Sequence, residues 1–202
     1  MPSPTYRQAI AAYLQQAARP IDKFSHQPRL YTTAKHLAEA EPYDDDVVYA
    51  AAWLHDLGVF IGHRPEDPQA LAQWDHLAYA CDRVPALLHE FGFPAAKIPA
   101  VVEVIRTHLP RSHPTSFEGH LIHDADILEQ LGAVGVMRQL SKVGRDSRYR
   151  THGPAIAVLR RNLTELFDCL TLATARAASQ ERLQTLDTFL TALDRETQGV
   201  PL

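Results

Sequence analysis

The sequence has little that would direct it to a membrane, a disulfide framework or a polyanion. Its longest apolar stretch, Val47 to Leu54, is far shorter than the about 20 residues that span a bilayer. Only two cysteines occur, Cys81 and Cys169, and they stand alone without CxxC spacing. The first residues, Met1 to Ile10, lack the basic stretch and apolar core of a secretory signal, so a reducing, cytoplasmic setting is expected. Neither sign of charge dominates. With 20 basic and 24 acidic residues the formal net charge is −4, which gives no general electrostatic reason to expect nucleic acid or an anionic membrane as partner. Local charge can still oppose the total, so a small anionic ligand remains compatible. There is no internal repeat, low-complexity run or break in composition. The 202 residues, 46% hydrophobic and 22% charged, therefore predict one domain, residues 1–202, around one sizeable core.

Alternating β-branched runs are nearly absent, whereas apolar residues recur at three- and four-residue spacing almost throughout, so the class is all-α. A first helix is predicted from the Ser3-Pro4 start to about Ala18, and a second from about Ser25 to Ala40. The acidic trio Asp44, Asp45 and Asp46 suits the positive end of a third helix that carries Val47, Val48, Ala51, Ala52 and Leu54 and stops at Gly58. A fourth is expected from near Pro68, interrupted at Pro85, because proline lacks a donor that the helix interior needs. Ile98 to His108 forms another, and a long stretch from Glu118 to about Val143 contains Gly132 and Gly135, where a neighbouring helix can approach closely. After a basic loop with Arg145, Arg148 and Arg150, two long helices close the chain, about Pro154 to Ala177 and Ser179 to Glu196.

Eleven histidines is the unusual count, and several sit at the edge of an apolar stripe. Val48, Ala52 and His55 share one face, so the imidazole should point inward, with Asp56 at the frayed helix end able to turn toward the same point. For a lone His-Asp pair, the plain alternative is a core histidine bonded to a carboxylate. Other helices offer similar residues, however. His26 leads the stripe Leu30, Ala34 and Leu37; His108 ends the stripe Val101, Val104 and Ile105; Asp126 lies one turn after Ile122. Imidazole and carboxylate together suit Mn, Fe, Co, Ni or Zn and, less well, Mg, and helical bundles commonly build metal sites from facing helices.

The ordered set His26, His55-Asp56 and Asp126 resembles the H…HD…D signature of the HD-domain superfamily of metal-dependent phosphohydrolases. The stretches Ala51-Ala52-Trp53-Leu54-His55-Asp56-Leu57-Gly58 and Asp124-Ala125-Asp126-Ile127-Leu128 resemble a stand-alone bacterial and archaeal subgroup that includes nucleoside triphosphate pyrophosphohydrolases. The resemblance implies a helical bundle of the HD-domain type, with a metal-site core at about residues 22–143 and C-terminal helices at about 154–196. It makes His26, His55, Asp56 and Asp126 the four metal ligands. Asp124 competes with Asp126 for the last role. Two positions on a helix are about 200° apart, so one of the two faces the metal, and the Ala-Asp-x-Leu pattern selects Asp126, leaving Asp124 to orient a ligand or cap a helix. Some members hold a second metal on two further histidines, whose positions His76 and His108 match. His76 is otherwise a capping or exposed histidine, and His108 a proton donor. His63, His113, His120 and His123 lie in or beside loops, and His36, His89 and His152 match nothing, so solvent exposure is expected for each, with lining the mouth of the site as the alternative for His63 and His113.

Phosphate chemistry needs positive charge toward the substrate, and Arg29, Arg64, Arg111, Arg138 and Arg145 flank the site segments. The expectation is hydrolysis of a phosphate ester or anhydride, in a nucleotide, with one or two divalent ions. Asp56 combines ligand and base roles, and His108 or His76 moves the proton. Two other readings use the same residues: a dinuclear iron HD-type oxygenase, which needs both His76 and His108 as ligands, and a non-catalytic nucleotide sensor. No nucleic acid or membrane partner is expected, and the chain is a monomer or homodimer.

Overall fold

A computed structural model describes residues 4–200. Helices α1 (Tyr6–Ala17), α2 (His26–Ala38), α3 (Asp45–Leu54), α4 (Pro68–Ala72), α5 (His76–Glu90), α6 (Ile98–Arg106), α7 (Phe117–Leu128), α8 (Gly132–Leu140), α9 (His152–Cys169) and α10 (Ala173–Thr197) follow in order. No strand forms among the described residues, and a single isolated bridge joins Ile61 and Arg64. The all-α expectation holds. The helices form two compact units, one reaching to His123 and the other beginning at Asp124, so the division falls within α7.

In the first unit α3 is the central element, in contact with α1, α2 and α6. Every residue from Val47 to Leu54 is buried, as expected of a helix that is apolar on all sides. The Asp44 carboxylate accepts from the amides of Asp46 (3.1 Å) and Val47 (3.4 Å) and caps it, and Asp45 and Asp46 occupy its positively polarised first turn. These acids are held in turn by cations. Arg7 reaches Asp45 at 2.8 Å and Asp46 at 2.9 Å, while Lys97 reaches Asp44 and Asp46, both at 2.8 Å. Hydrogen bonds from Lys97, then Tyr6 and Arg7, hold the Asp46 carboxyl well below the usual carboxylate range. On Tyr31 burial and the Asp45 carboxylate push the phenol up to about 12.

The second unit packs α8, α9 and α10 against one another. Its α10 begins where Asp124 accepts hydrogen bonds from the Thr171 amide (3.0 Å), the Thr171 hydroxyl (3.1 Å) and the Leu172 amide (2.7 Å). Gly132 takes φ +64°, and a Cβ there would meet the Arg182 side chain at 3.2 Å, so the expected close approach of a neighbouring helix is realised.

Several boundaries differ from expectation. Of the predicted Ser3-Pro4 start, Ser3 lies outside the described residues; Thr5 is the observed cap and forms a capping box with Gln8. The third helix ends at Leu54, ahead of Gly58. Pro85 does not interrupt α5, which accommodates it and lacks only the one donor; the break falls earlier, where the Asp75 side chain caps Ala78. The stretch from Glu118 to Val143 is two helices, because the left-handed Gly132 separates α7 from α8. The last two helices divide at Leu170 to Leu172 rather than near Ala178, since Asp124 captures the amides there.

Candidate metal centre

His26 is the first residue of α2, at the head of the buried stripe Leu30, Ala34 and Leu37. His55 directly follows α3 with helical backbone, and Asp56 leaves the helical path at φ −94° and ψ 17°. The apolar helix thus delivers the imidazole inward and its end turns the carboxylate to the same place. His26 Nε2 and His55 Nε2 lie 3.3 Å apart, and Asp56 Oδ2 is 4.0 Å from the first and 3.6 Å from the second. Among the described residues these three form the group of metal-type donors whose atoms all lie within 4.8 Å of one another. His55 is fully buried, while the Asp56 side chain keeps 23% of its exposure, so the group is open on the carboxylate side.

The donor set fits a divalent ion. A circle through the three atoms has a radius of about 2.1 Å, which is the length of a metal–imidazole or metal–carboxylate bond. His55 Nδ1 lies 3.0 Å from the Ala52 carbonyl. With the proton held there, neutral His55 turns its Nε2 lone pair toward the other two donors, the backing that metal-binding histidines commonly have.

His108 stands next to this group without joining it. Its ring meets His55 edge-on at 4.9 Å between centroids, and its Nδ1 is 2.6 Å from the Ile105 carbonyl. His76 opens α5 and is half-buried, with its backbone against Gly58. Arg29 is half-buried one turn after His26 and donates to the Ser25 hydroxyl at 3.0 Å. Arg64 is half-buried on the strap that follows the HD pair, and Arg111 is exposed beyond Pro110. In the second unit Asp126 is 7% exposed and accepts from Gln130 Nε2 at 3.2 Å. Arg138 donates to the Glu129 carbonyl at 3.1 Å, and Arg145 is exposed in the basic loop.

Three histidines expected in solvent are buried or half-buried instead. His123 is fully buried in α7, with Nε2 3.3 Å from the Pro110 carbonyl, because its neighbours Leu121, Ile122, Ala125 and Ile127 take that part of the helix into the core. His63 is half-buried between Tyr79, whose hydroxyl is 2.9 Å from Nδ1, and Tyr13, 3.4 Å from Nε2. Burial, and then the Arg83 guanidinium, push its imidazole below the ordinary value. His36, His89, His113 and His152 are exposed as expected, and His120 is half-buried.

The sequence model of the HD domain matches residues 24–131, more than half the chain, and this span holds His26, His55, Asp56 and Asp126. The chain belongs to the HD-domain family. This HD-domain chain is 27% identical over 186 residues to the uncharacterized protein YpgQ of Bacillus subtilis, covering 87% of this chain and 84% of that one. Crystal structures of YpgQ share the fold, at TM-score 0.73 and 24% identity with 96% of each chain covered, and one of them, at TM-score 0.72, is a complex with ADP. An HD-superfamily hydrolase from Bacillus thuringiensis also shares it, at TM-score 0.68 and 20% identity over 96% of this chain and 97% of that one. No helix of the described residues is long and apolar enough to cross a membrane.

Proposed function

We propose that this chain is a metal-dependent phosphohydrolase that acts on a phosphate ester or anhydride of a nucleotide. The observation that carries the reading is the convergence of His26 Nε2, His55 Nε2 and Asp56 Oδ2. The sequence pattern adds Asp126 as the fourth ligand, and the commitment of Asp124 to Thr171 and Leu172 supports that choice. The nucleotide is suggested by the ADP bound to YpgQ. Mn, Fe, Co, Ni and Zn suit the donors, and Mg suits them less well, since it prefers an all-oxygen shell. The subgroup of nucleoside triphosphate pyrophosphohydrolases is the finer form of this reading, in a cytoplasmic monomer or homodimer.

The chemistry such an ion supplies is Lewis acidity toward a phosphoryl oxygen and toward water. The chain's own residues do the rest. His26 and His55 hold the ion with neutral imidazoles, and Asp56 contributes negative charge on the more open side, where it is also placed to accept a proton from water. His108, with Nδ1 turned to Ile105, keeps Nε2 for proton movement, and His76 is the alternative for that role. Arg29, Arg64, Arg111, Arg138 and Arg145 are the candidates for binding phosphoryl oxygens, with Arg138 already engaged by Glu129. The converging group accounts for one ion, and a second metal, and with it the dinuclear oxygenase, would require His76 and His108 as additional ligands.

The test is a hydrolysis screen of nucleoside mono-, di- and triphosphates with each candidate metal, reading phosphate and pyrophosphate separately. Turnover that disappears on chelation is expected. Absence of turnover with every metal would overturn the reading, and tight nucleotide binding in that case would leave the sensor.

A further inference from the structure

The strap that follows Asp56 is held at two points, by the Trp74 indole and by the close packing of Gly58 against the His76 backbone. Asp56 opens a short 3₁₀ turn, with the Val59 amide donating to the Asp56 carbonyl at 2.9 Å. Inside that turn the buried Gly58 lies against the first residue of α5. A Cβ on Gly58 would stand 2.5 Å from the His76 carbonyl oxygen and 2.8 Å from its Cα, a distance at which one backbone must move. The Gly58 carbonyl accepts a 2.8 Å hydrogen bond from Trp74 Nε1. Trp74 packs in turn against Tyr79, with ring centroids 5.2 Å apart and planes tilted by 47°, and Tyr79 bonds His63 at the far end of the strap, which also meets Tyr13 on α1. The turn that aims Asp56 is therefore fixed from outside, through the Trp74 indole and the close approach at Gly58.

We infer that Trp74 is a positioning residue for the metal centre: its indole N–H, bonded to the Gly58 carbonyl, sets the direction of the Asp56 carboxylate toward His26 and His55. This rests on the reading of Asp56 as a metal ligand. A ligand whose supporting hydrogen bond is lost typically costs about 10- to 100-fold in metal affinity, and a hold acting through two peptide units belongs near the lower end. Trp74→Phe keeps an aromatic ring against Tyr79 and removes the donor.

The experiment titrates the purified, metal-stripped full chain with Mn(II), reading free ion by electron paramagnetic resonance, for wild type, Trp74→Phe and Asp56→Ala. The expected result is a roughly 10-fold weaker Mn(II) affinity in Trp74→Phe, with a metal-free melting temperature close to wild type, and loss of the site in Asp56→Ala. A lowered melting temperature with unchanged affinity would overturn the inference, since Trp74 would then be structural only. If Asp56→Ala binds Mn(II) as wild type does, the reading of the metal centre fails instead. Should Trp74→Phe not fold, the wild type supplies the second measurement: by linkage the Trp74 indole N–H, bonded to the Gly58 carbonyl, should exchange with solvent more slowly in the Zn(II)-loaded than in the metal-free chain, and equal exchange in the two states would overturn the inference.

Discussion

Two carboxylates two residues apart, Asp124 and Asp126, are assigned opposite work, and exchanging their fates by mutation is a sharp test. Asp124 is fully buried and receives the Thr171 amide and hydroxyl and the Leu172 amide, at 2.7 to 3.1 Å, at the start of the 25-residue helix α10. Asp124→Ala would remove every one of these acceptors and strand the donors. Hydrogen bonds to a charged group contribute about 1.5–3 kcal/mol each, a helix cap typically about 1, and such terms are not additive, so a combined loss of roughly 3–5 kcal/mol is expected. Against a total stability of about 5–15 kcal/mol that is a large share. Asp124→Asn, which keeps one acceptor oxygen, should lose roughly half as much. The assay is urea unfolding of the metal-free protein, followed by far-UV circular dichroism, with Mn(II) affinity measured on the folded fraction. Asp126→Ala should show the reverse pattern, with metal affinity lost and stability within about 1 kcal/mol of wild type. A stability loss below about 1 kcal/mol in Asp124→Ala would refute the capping argument. Metal loss in Asp124→Ala with retention in Asp126→Ala would refute the division of roles.

Two further outcomes follow from the same structure. The Asp46 carboxyl is held below its unfolded value, near 3.9, by Lys97, Tyr6 and Arg7, so its contribution is complete above that pH and is lost as pH falls through the folded value. Wild type should therefore lose more stability than Asp46→Asn between pH 5 and pH 3, and equal acid sensitivity in thermal melts would contradict this. Gly132→Ala places a Cβ at φ +64°, 3.2 Å from Arg182, and should cost about 1–3 kcal/mol in urea unfolding; a neutral effect would show that the turn relaxes freely.

The helical class and the inward His55-Asp56 pair were legible in the sequence because both depend on local periodicity: α3 is apolar on every side, and its end brings the pair into the core. Asp44 was readable as part of that helix's acidic start for the same reason. What was not legible depends on partners distant in sequence. The division between α9 and α10 is made by Asp124, 47 residues before the Thr171 amide it accepts. Pro85 inside α5 misled because a proline's missing donor is a small loss to a helix with a buried face on Ala80, Val84, Leu87 and Leu88. Gly58 reads in sequence as a helix stop, whereas its demand is room for the His76 backbone. His63 and His123 looked like loop histidines because the tyrosines and the Pro110 carbonyl that take them up carry no nearby signal.

The central claim is that His26, His55 and Asp56 hold a divalent ion. Elemental analysis of the purified wild type and of His55→Ala, after both are loaded with Mn(II) and freed of excess, tests it most directly. One ion per chain in wild type and close to none in a folded His55→Ala is the predicted result. Equal metal content in the two proteins would contradict it.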